Sequence, residues 1–228
     1  MAARLRGLGI VLGLIGIAFV AVGAFAFIKT QEGYKSLNAF SAAQDVQLTY
    51  NDKGQLVSGD TKEAQAIMSL LTEDWGYPVA TSELDPKDPI VNTASEYMFQ
   101  MATIAYHTLH STVTVVLTDP VDYKGKTYAA GSYDVPIDGR YFSQLDRSDP
   151  LQGPARTQAW SATAQALIGE LGVGTATASA LQLALALAAL AGGLGGTLIL
   201  TGAGLVWATR PETETKAVPV LRTARVPA

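Results

Sequence analysis

Both histidines of the 228-residue chain fall in one short stretch, YHTLH, at His107 and His110. Residues three apart share a helix face, so two imidazoles at this spacing suit a shared metal or half of an acid–base site. The surrounding sequence predicts a helix from about Pro89 to His110 with Asp88 as its cap, and Ile90, Ala94, Tyr97, Met101, Ile104 and Ala105 on one apolar face. With Ile90 at zero and about 100° per residue, His107 falls near 260° and His110 near 200°. That is the polar side, with Glu96, Gln100 and Thr103, so neither is a core histidine.

A catalytic zinc takes three protein ligands. Glu96 lies about 16 Å along the axis from His107, so a third ligand would have to come from another segment, such as Asp119 or Asp122. No HExxH pattern supports one. The expectation is that His107 and His110 are solvated or interface side chains, with no Asp or Glu of another segment within bonding distance. The alternatives are a metal or acid–base site and a pH-responsive contact.

Other chemistry is thinly represented. Cysteine is absent, which excludes disulfides, thiolate metal sites and a cysteine nucleophile. There is no GxSxG elbow, SxxK pair, P-loop or GxGxxG. No catalytic residue and no cofactor is implied. Tyr123, Tyr128 and Tyr133 alternate through DYKGKTYAAGSYD and form a possible surface for a sugar, a peptide or a partner; the plainer reading is that they cover a small sheet near a membrane. Asp134, Asp138, Asp146 and Asp149 with Arg140 and Arg147 read as a loop of local ion pairs, since the ordered spacing of a calcium loop is missing.

The elements that would carry these residues sit between two apolar stretches. Hydrophobic residues make up 48% of the chain, charged ones 16%, and mean hydropathy is +0.20; a soluble domain carries about 25% charge. A net charge of −4 argues against nucleic acid as a partner. Residues 7–28 contain no charge and as a helix would be about 33 Å long, enough for a hydrocarbon core of about 30 Å. Arg4 and Arg6 before it and Ala24-Phe25-Ala26 within it also fit a cleaved signal peptide, but the run is longer than the roughly 7–15 residues of a signal core. The uncharged run between Glu170 and Arg210 predicts a second span over 179–208. Gly9 and Gly13, and Gly192 and Gly196, are four apart, a spacing that lets helix backbones approach, between the spans or with a partner.

Orientation follows from charge. Residues 1–6 and the tail 209–228 carry basic residues, whereas the segment between the spans holds ten Lys/Arg against eighteen Asp/Glu. This places both termini in the cytoplasm and residues 29–178 outside the cell membrane. The tail reads as disordered. Within 29–178, residues 31–46 continue the first span as helix, and Asn51-Asp52-Lys53-Gly54 marks a hairpin turn. Asp60 with Glu63 forms a capping box for a helix burying Ile67, Leu71 and Trp75 beside Met68, ended by Gly76 and Pro78. Residues 111–117 and the Tyr-rich stretch to Ile137 read as strands with a turn at Lys124-Gly125, and residues 154–171 as a helix leading to the second span. The fold class is thus a mainly α membrane protein: two transmembrane helices flanking a small α+β extracytoplasmic domain.

The stretch YFSQLDRSDPLQGPART, the Trp-bearing helix after it and the Ala/Leu/Gly-rich span resemble a group of uncharacterised actinobacterial membrane proteins with two transmembrane helices. AYHTLH is similar to a helix that carries His in some of them. The likeness covers roughly half of the chain and implies topology more than activity. Some members are described as aromatic ring-opening dioxygenases. Iron sites of that kind typically use two His and a carboxylate, and this chain offers His107 and His110 with no matched carboxylate. The expected function is therefore non-enzymatic: an accessory, scaffold or assembly subunit in the lipid bilayer, with other membrane subunits or copies of itself as partners. The alternatives are an extracytoplasmic metal-binding enzyme or sensor using His107 and His110, and a cell-wall glycan binder using the three tyrosines.

Overall fold

In the computed structural model, residues 1–210 are described; most of the tail expected to be disordered lies outside the described residues. Among the described residues five α-helices carry the fold: α1 (Ala2–Gln44), α2 (Thr61–Ser69), α3 (Ala94–Leu109), α4 (Gln152–Ala159) and α5 (Ala162–Ala208). Six short strands pair as three antiparallel two-stranded sheets: β1 (Thr49–Tyr50) with β2 (Leu56–Val57), β3 (Thr112–Leu117) with β6 (Gly131–Pro136), and β4 (Val121–Tyr123) with β5 (Lys126–Tyr128). The chain divides into two compact units, one formed by Met1–Phe27 with the chain from Ala186, the other by Ile28–Leu185. Both α1 and α5 contribute to each.

In the first unit the two helices run antiparallel with their backbones in contact. A Cβ on Gly9 would lie 2.7 Å from the Gly202 carbonyl oxygen, one on Gly16 2.6 Å from that of Gly195, and one on Gly23 2.9 Å from that of Ala188. The contact therefore repeats every seven residues on both helices, through 9, 16 and 23 and through 188, 195 and 202, the period that keeps one seam facing its partner. The four-residue spacing is not the organising one. Gly9 lies in the seam, but a Cβ on Gly13, Gly192 or Gly196 would meet nothing within 4 Å. Gly13 and Gly192 contribute only as backbone, against which side chains on Gly202 and Gly23 would collide. Large apolar side chains point the other way: Leu14 is 62% exposed and Leu200 74%.

The second unit is built around α3. The hairpin turn falls where its residues predict, with Asn51 Oδ1 accepting from the backbone N–H groups of Lys53 and Gln55 and Gly54 at φ +71°. Asp60 caps α2 by accepting from the Glu63 N–H at 2.8 Å. Only half of the expected capping box forms, because the Asp60 N–H is taken by the Ser58 carbonyl and the Glu63 side chain turns elsewhere. Asp60→Ala is expected to lower the stability of the detergent-solubilised chain by about 1 kcal/mol in urea unfolding. Ile67 and Leu71 are fully buried, as their spacing predicts, although the last turn widens to a π-helix over Leu70–Asp74. Gly76, at φ +65°, ends it.

Helix α3 begins later than the sequence suggests. Pro89 to Val91 lie outside the helix, with Ile90 bridged to Gln47: the Leu48 N–H donates to the Pro89 carbonyl, and the Val91 N–H to that of Val46. The cap is Thr93 rather than Asp88, in a full capping box with Glu96. Glu96 is therefore not on a solvated face but 1% exposed, its Oε2 accepting from the Asn92 and Thr93 N–H groups at 3.0 and 2.9 Å. The helix is covered on more than one side, since Tyr97, Phe99, Ala102, Ala105 and Leu109 are all buried.

Beyond α3, Ser111 and the strand β3 lead into a second cluster of Leu109, Val115, Val135, Ile137, Leu145 and Trp160. The β3–β6 register, Thr112 opposite Pro136 to Leu117 opposite Gly131, turns Val115 inward while Thr114 and Val116 face out. Lys124 and Gly125, at φ +48° and +77°, make the tight turn of the β4–β5 hairpin. The helix expected over 154–171 is two: α4 ends at Trp160, whose indole N–H donates to the Arg140 carbonyl, and Ser161 Oγ caps α5 by accepting from the Ala164 N–H.

Candidate functional site

The two histidines sit on the last turns of α3 and are engaged separately. His107 Nδ1 lies 3.3 Å from Glu63 Oε1 of α2, with both side chains partly solvated. The expectation that no carboxylate of another segment reaches His107 thus fails. The cause is local: α2 and α3 pack side by side through Ile67, and Glu63 is one turn before Ile67 on the same face, its carboxylate released from capping. His110 turns back on its own helix, Nδ1 at 2.8 Å from the Tyr106 carbonyl oxygen and its ring 4.1 Å from the Tyr106 ring. Among the described residues no group of three His, Asp or Glu is placed to hold a metal ion. His107 and Glu63 are a partly solvated contact, an ion pair only when the imidazole carries a proton, and surface pairs of that kind contribute under about 1 kcal/mol.

The three tyrosines do not form one platform. The Tyr123 hydroxyl donates to Asp146 Oδ2 at 2.8 Å, and Lys124 Nζ reaches the same oxygen at 2.9 Å. Tyr128 and Tyr133 meet edge to face, with centroids 6.4 Å apart, and the Tyr133 hydroxyl donates to the Ala129 carbonyl. Asp146 is held well below the usual carboxylate range by Lys124, then by the Ser148 N–H and Tyr123, while Lys124 is held above its own by Tyr123 and Asp146. The cluster ties the β4–β5 hairpin to the loop before α4. The ion pair expected to be local to that loop instead spans twenty-two residues, and Arg140 bonds the Ile137 and Pro136 carbonyls and Gln152 rather than an acid.

The feature that composition and motif did not reveal is a cleft where the Ile28–Gln44 part of α1 and the first turns of α5 meet α3. Two cavities of about 220 and 570 Å³ lie there and share Phe40 and Glu170 in their walls. The smaller is walled by Phe40, Val46, Val91, Ile104, Leu167 and Leu171, with Ser41, Gln44, Tyr97 and Gln100 as its neutral polar groups. The larger adds Gly33, Leu37, Val173 and Gly174. Tyr97 fixes the spacing of the helices. A Cβ on Gly174 would come 2.6 Å from its ring, so only glycine lets α5 pass, and the Tyr97 and Ser41 hydroxyls are 2.7 Å apart. The Ser41 hydroxyl donates to the Leu37 carbonyl, so the Tyr97 hydroxyl is the donor between them. The cleft thus has a largely apolar lining with neutral polar groups and a single carboxylate, Glu170, among the described residues.

One signal for it exists in the sequence. Glu170 is the only charged residue between Arg156 and Arg210, and a lone acid in so apolar a run asks for a reason. No family model, curated protein or solved structure matches this chain.

Proposed function

We propose that the chain is a two-span integral membrane protein. Both termini are cytoplasmic, the Ile28–Leu185 domain is outside, and the protein works without catalysis as an accessory, scaffold or assembly subunit of a membrane complex or homo-oligomer. The observation that carries the membrane part is the inverted packing of the helix pair. Its seam is glycine on glycine, while Leu14, Phe25, Leu190 and Leu200 face outward. In water this arrangement would leave the apolar surface unburied and bury almost none; in lipid it is the favourable one, since close backbone contact replaces the hydrophobic drive. Gln182 bonds Glu83, and Leu181 fills the space over Gly33. These contacts support starting the second span at about Ala186 rather than at 179. That leaves a helix of about 34 Å up to Ala208.

The cysteine-free chain is a ready background for labelling. Cysteine placed singly at Ala3, Asp52 and Lys87 should react with an impermeant maleimide in intact cells only at the latter two, and the chain should stay in the membrane pellet after carbonate washing. Labelling of Ala3→Cys alone would reverse the orientation, and release by carbonate would end the membrane reading. The subunit reading is tested by a blue-native gel in mild detergent, where a bare monomer counts against it. Because the glycine seam is used within the chain, a partner would have to use another surface. The 3.3 Å approach of His107 to Glu63 keeps one alternative, a metal-dependent sensor or enzyme; metal content that is absent, or unchanged by His107→Ala, removes it.

A further inference from the structure

We propose that the cleft beneath Phe40 is a binding site for a membrane amphiphile with a positively charged amine head, one acyl chain lying along the apolar wall and the amine on Glu170. The proposal rests on the membrane reading above, which supplies the ligand.

Space comes first. The two cavities, about 220 and 570 Å³, share Phe40 and Glu170 and together fall in the range of about 300–1,000 Å³ in which ligand sites lie. Lining comes second. Phe40, Leu167 and Val173 stand exposed around the opening, Val173 at 68%, although all three lie outside both apolar spans. Apolar side chains gathered at the mouth of an apolar cavity gain by being covered. Position comes third. Along the helices, Gly33 lies about 8 Å beyond Ile28 and Glu170 about 24 Å beyond Ala186, so an occupant would have its chain drawn out of the bilayer along the wall.

Charge selects the occupant. Glu170 lines both cavities and is in no ion pair among the described residues. The other polar groups of the lining, Ser36, Ser41, Gln44, Tyr97, Gln100 and Thr177, are neutral. No lysine or arginine lines either cavity, so a head carrying only phosphate meets repulsion and finds no counter-charge. Glu170 stands at the exposed rim of the cleft, so an ammonium there gains the modest, salt-screened attraction of a surface pair, while its chain covers the apolar wall.

The test uses the full chain in a maltoside detergent, titrated with 1-oleoyl-lysophosphatidylethanolamine or with the phosphatidylglycerol analogue, and bound lipid is counted by native mass spectrometry. One ethanolamine lipid per chain is expected, bound about fivefold more tightly than the glycerol one, and Glu170→Gln should bring the two within about twofold. Leu167→Trp and Val173→Trp, both at exposed wall positions, should each weaken binding about tenfold with unchanged circular dichroism. Equal binding of the two lipids, or preference that survives Glu170→Gln, overturns the proposal, as does binding that survives both tryptophans. If the tryptophan variants misfold, Glu170→Gln decides alone. A photo-crosslinker at Leu167 that captures a protein helix instead of lipid in native membranes also overturns it. Carbonate extraction reads the membrane assignment separately, so the two can fail independently.

Discussion

Gly195→Leu is expected to break the helix pair, and Gly196→Leu, one residue on, to leave it intact. A Cβ at Gly195 would stand 2.6 Å from the Gly16 carbonyl oxygen and 2.8 Å from both the Val20 backbone nitrogen and its Cγ2. Two of those three atoms are backbone of a helix that cannot bend away locally, so the helices must separate along several turns. Overpacking in soluble cores costs about 1–3 kcal/mol; a rigid backbone seam belongs at or beyond the upper end. At Gly196 nothing lies within 4 Å, and a leucine there adds one more outward-facing apolar side chain; surface changes of that kind stay within about 0.5 kcal/mol. Titration with sodium dodecyl sulfate in micelles, followed by an energy-transfer pair at Ala3 and Thr209, measures both. Equal loss in the two variants would mean that the seam does not hold the pair together.

Glu96→Ala should be the most damaging single change in the Ile28–Leu185 unit, and Glu96→Gln a mild one. Alanine leaves the part-buried Asn92 and Thr93 N–H groups without their acceptor at the start of α3, which at about 1–2 kcal/mol for each, the lower part of the range for an unsatisfied group, amounts to roughly 2–4 kcal/mol. Glutamine keeps an oxygen for both. The pH dependence separates the variants further. Burial raises the Glu96 carboxyl above its ordinary value, against the lowering effect of the Asn92 and Thr93 bonds. A group whose folded pKa is raised binds its proton more tightly when folded, so its contribution is complete below the unfolded value and is lost as pH rises through the folded one. The wild type should therefore lose stability relative to Glu96→Gln as pH climbs through and above the ordinary carboxylate range, and the difference should be flat at higher pH. The neighbouring Tyr50, pushed up to about 12 first by burial and then by the Glu96 and Asp85 charges, should return toward its ordinary value in Glu96→Gln. A difference that grows toward low pH would show that the carboxylate is stabilised, not strained.

Local signals in the sequence were legible wherever the chain decides by itself. The Asn51–Gly54 turn, the Asp60 cap, the Lys124-Gly125 hairpin and the burial of Ile67 and Leu71 all follow from short-range chemistry and period. The polar placement of His107 and His110 followed as well. Reading Glu96 by the same helical wheel failed, because a side chain in the first turn folds back over its own N-terminus and the wheel does not know where a helix starts. Glu63 beside His107 is a contact between helices, set by how α2 lies on α3, and no spacing in either segment announces it. The glycine seam was visible in composition but not in period: with twenty-two glycines, pairs four apart arise freely, and only the partner helix shows that the sevens matter. The cleft is a product of three segments at once, and Glu170 alone hinted at it.

The glycine seam also bears on how the molecule responds to heat. Apolar surface leaving water carries a heat capacity change, and that change is what curves stability with temperature. The domain built on Ile67, Phe99 and Val115 buries its core from water and should show a curved profile with an optimum. On the proposed membrane reading, helices that part within lipid expose glycine to acyl chains, not to water, so their separation should carry almost no heat capacity change and a nearly straight dependence on temperature. One chain would then melt in two manners, and cooling far enough to weaken the domain would leave the helix pair untouched.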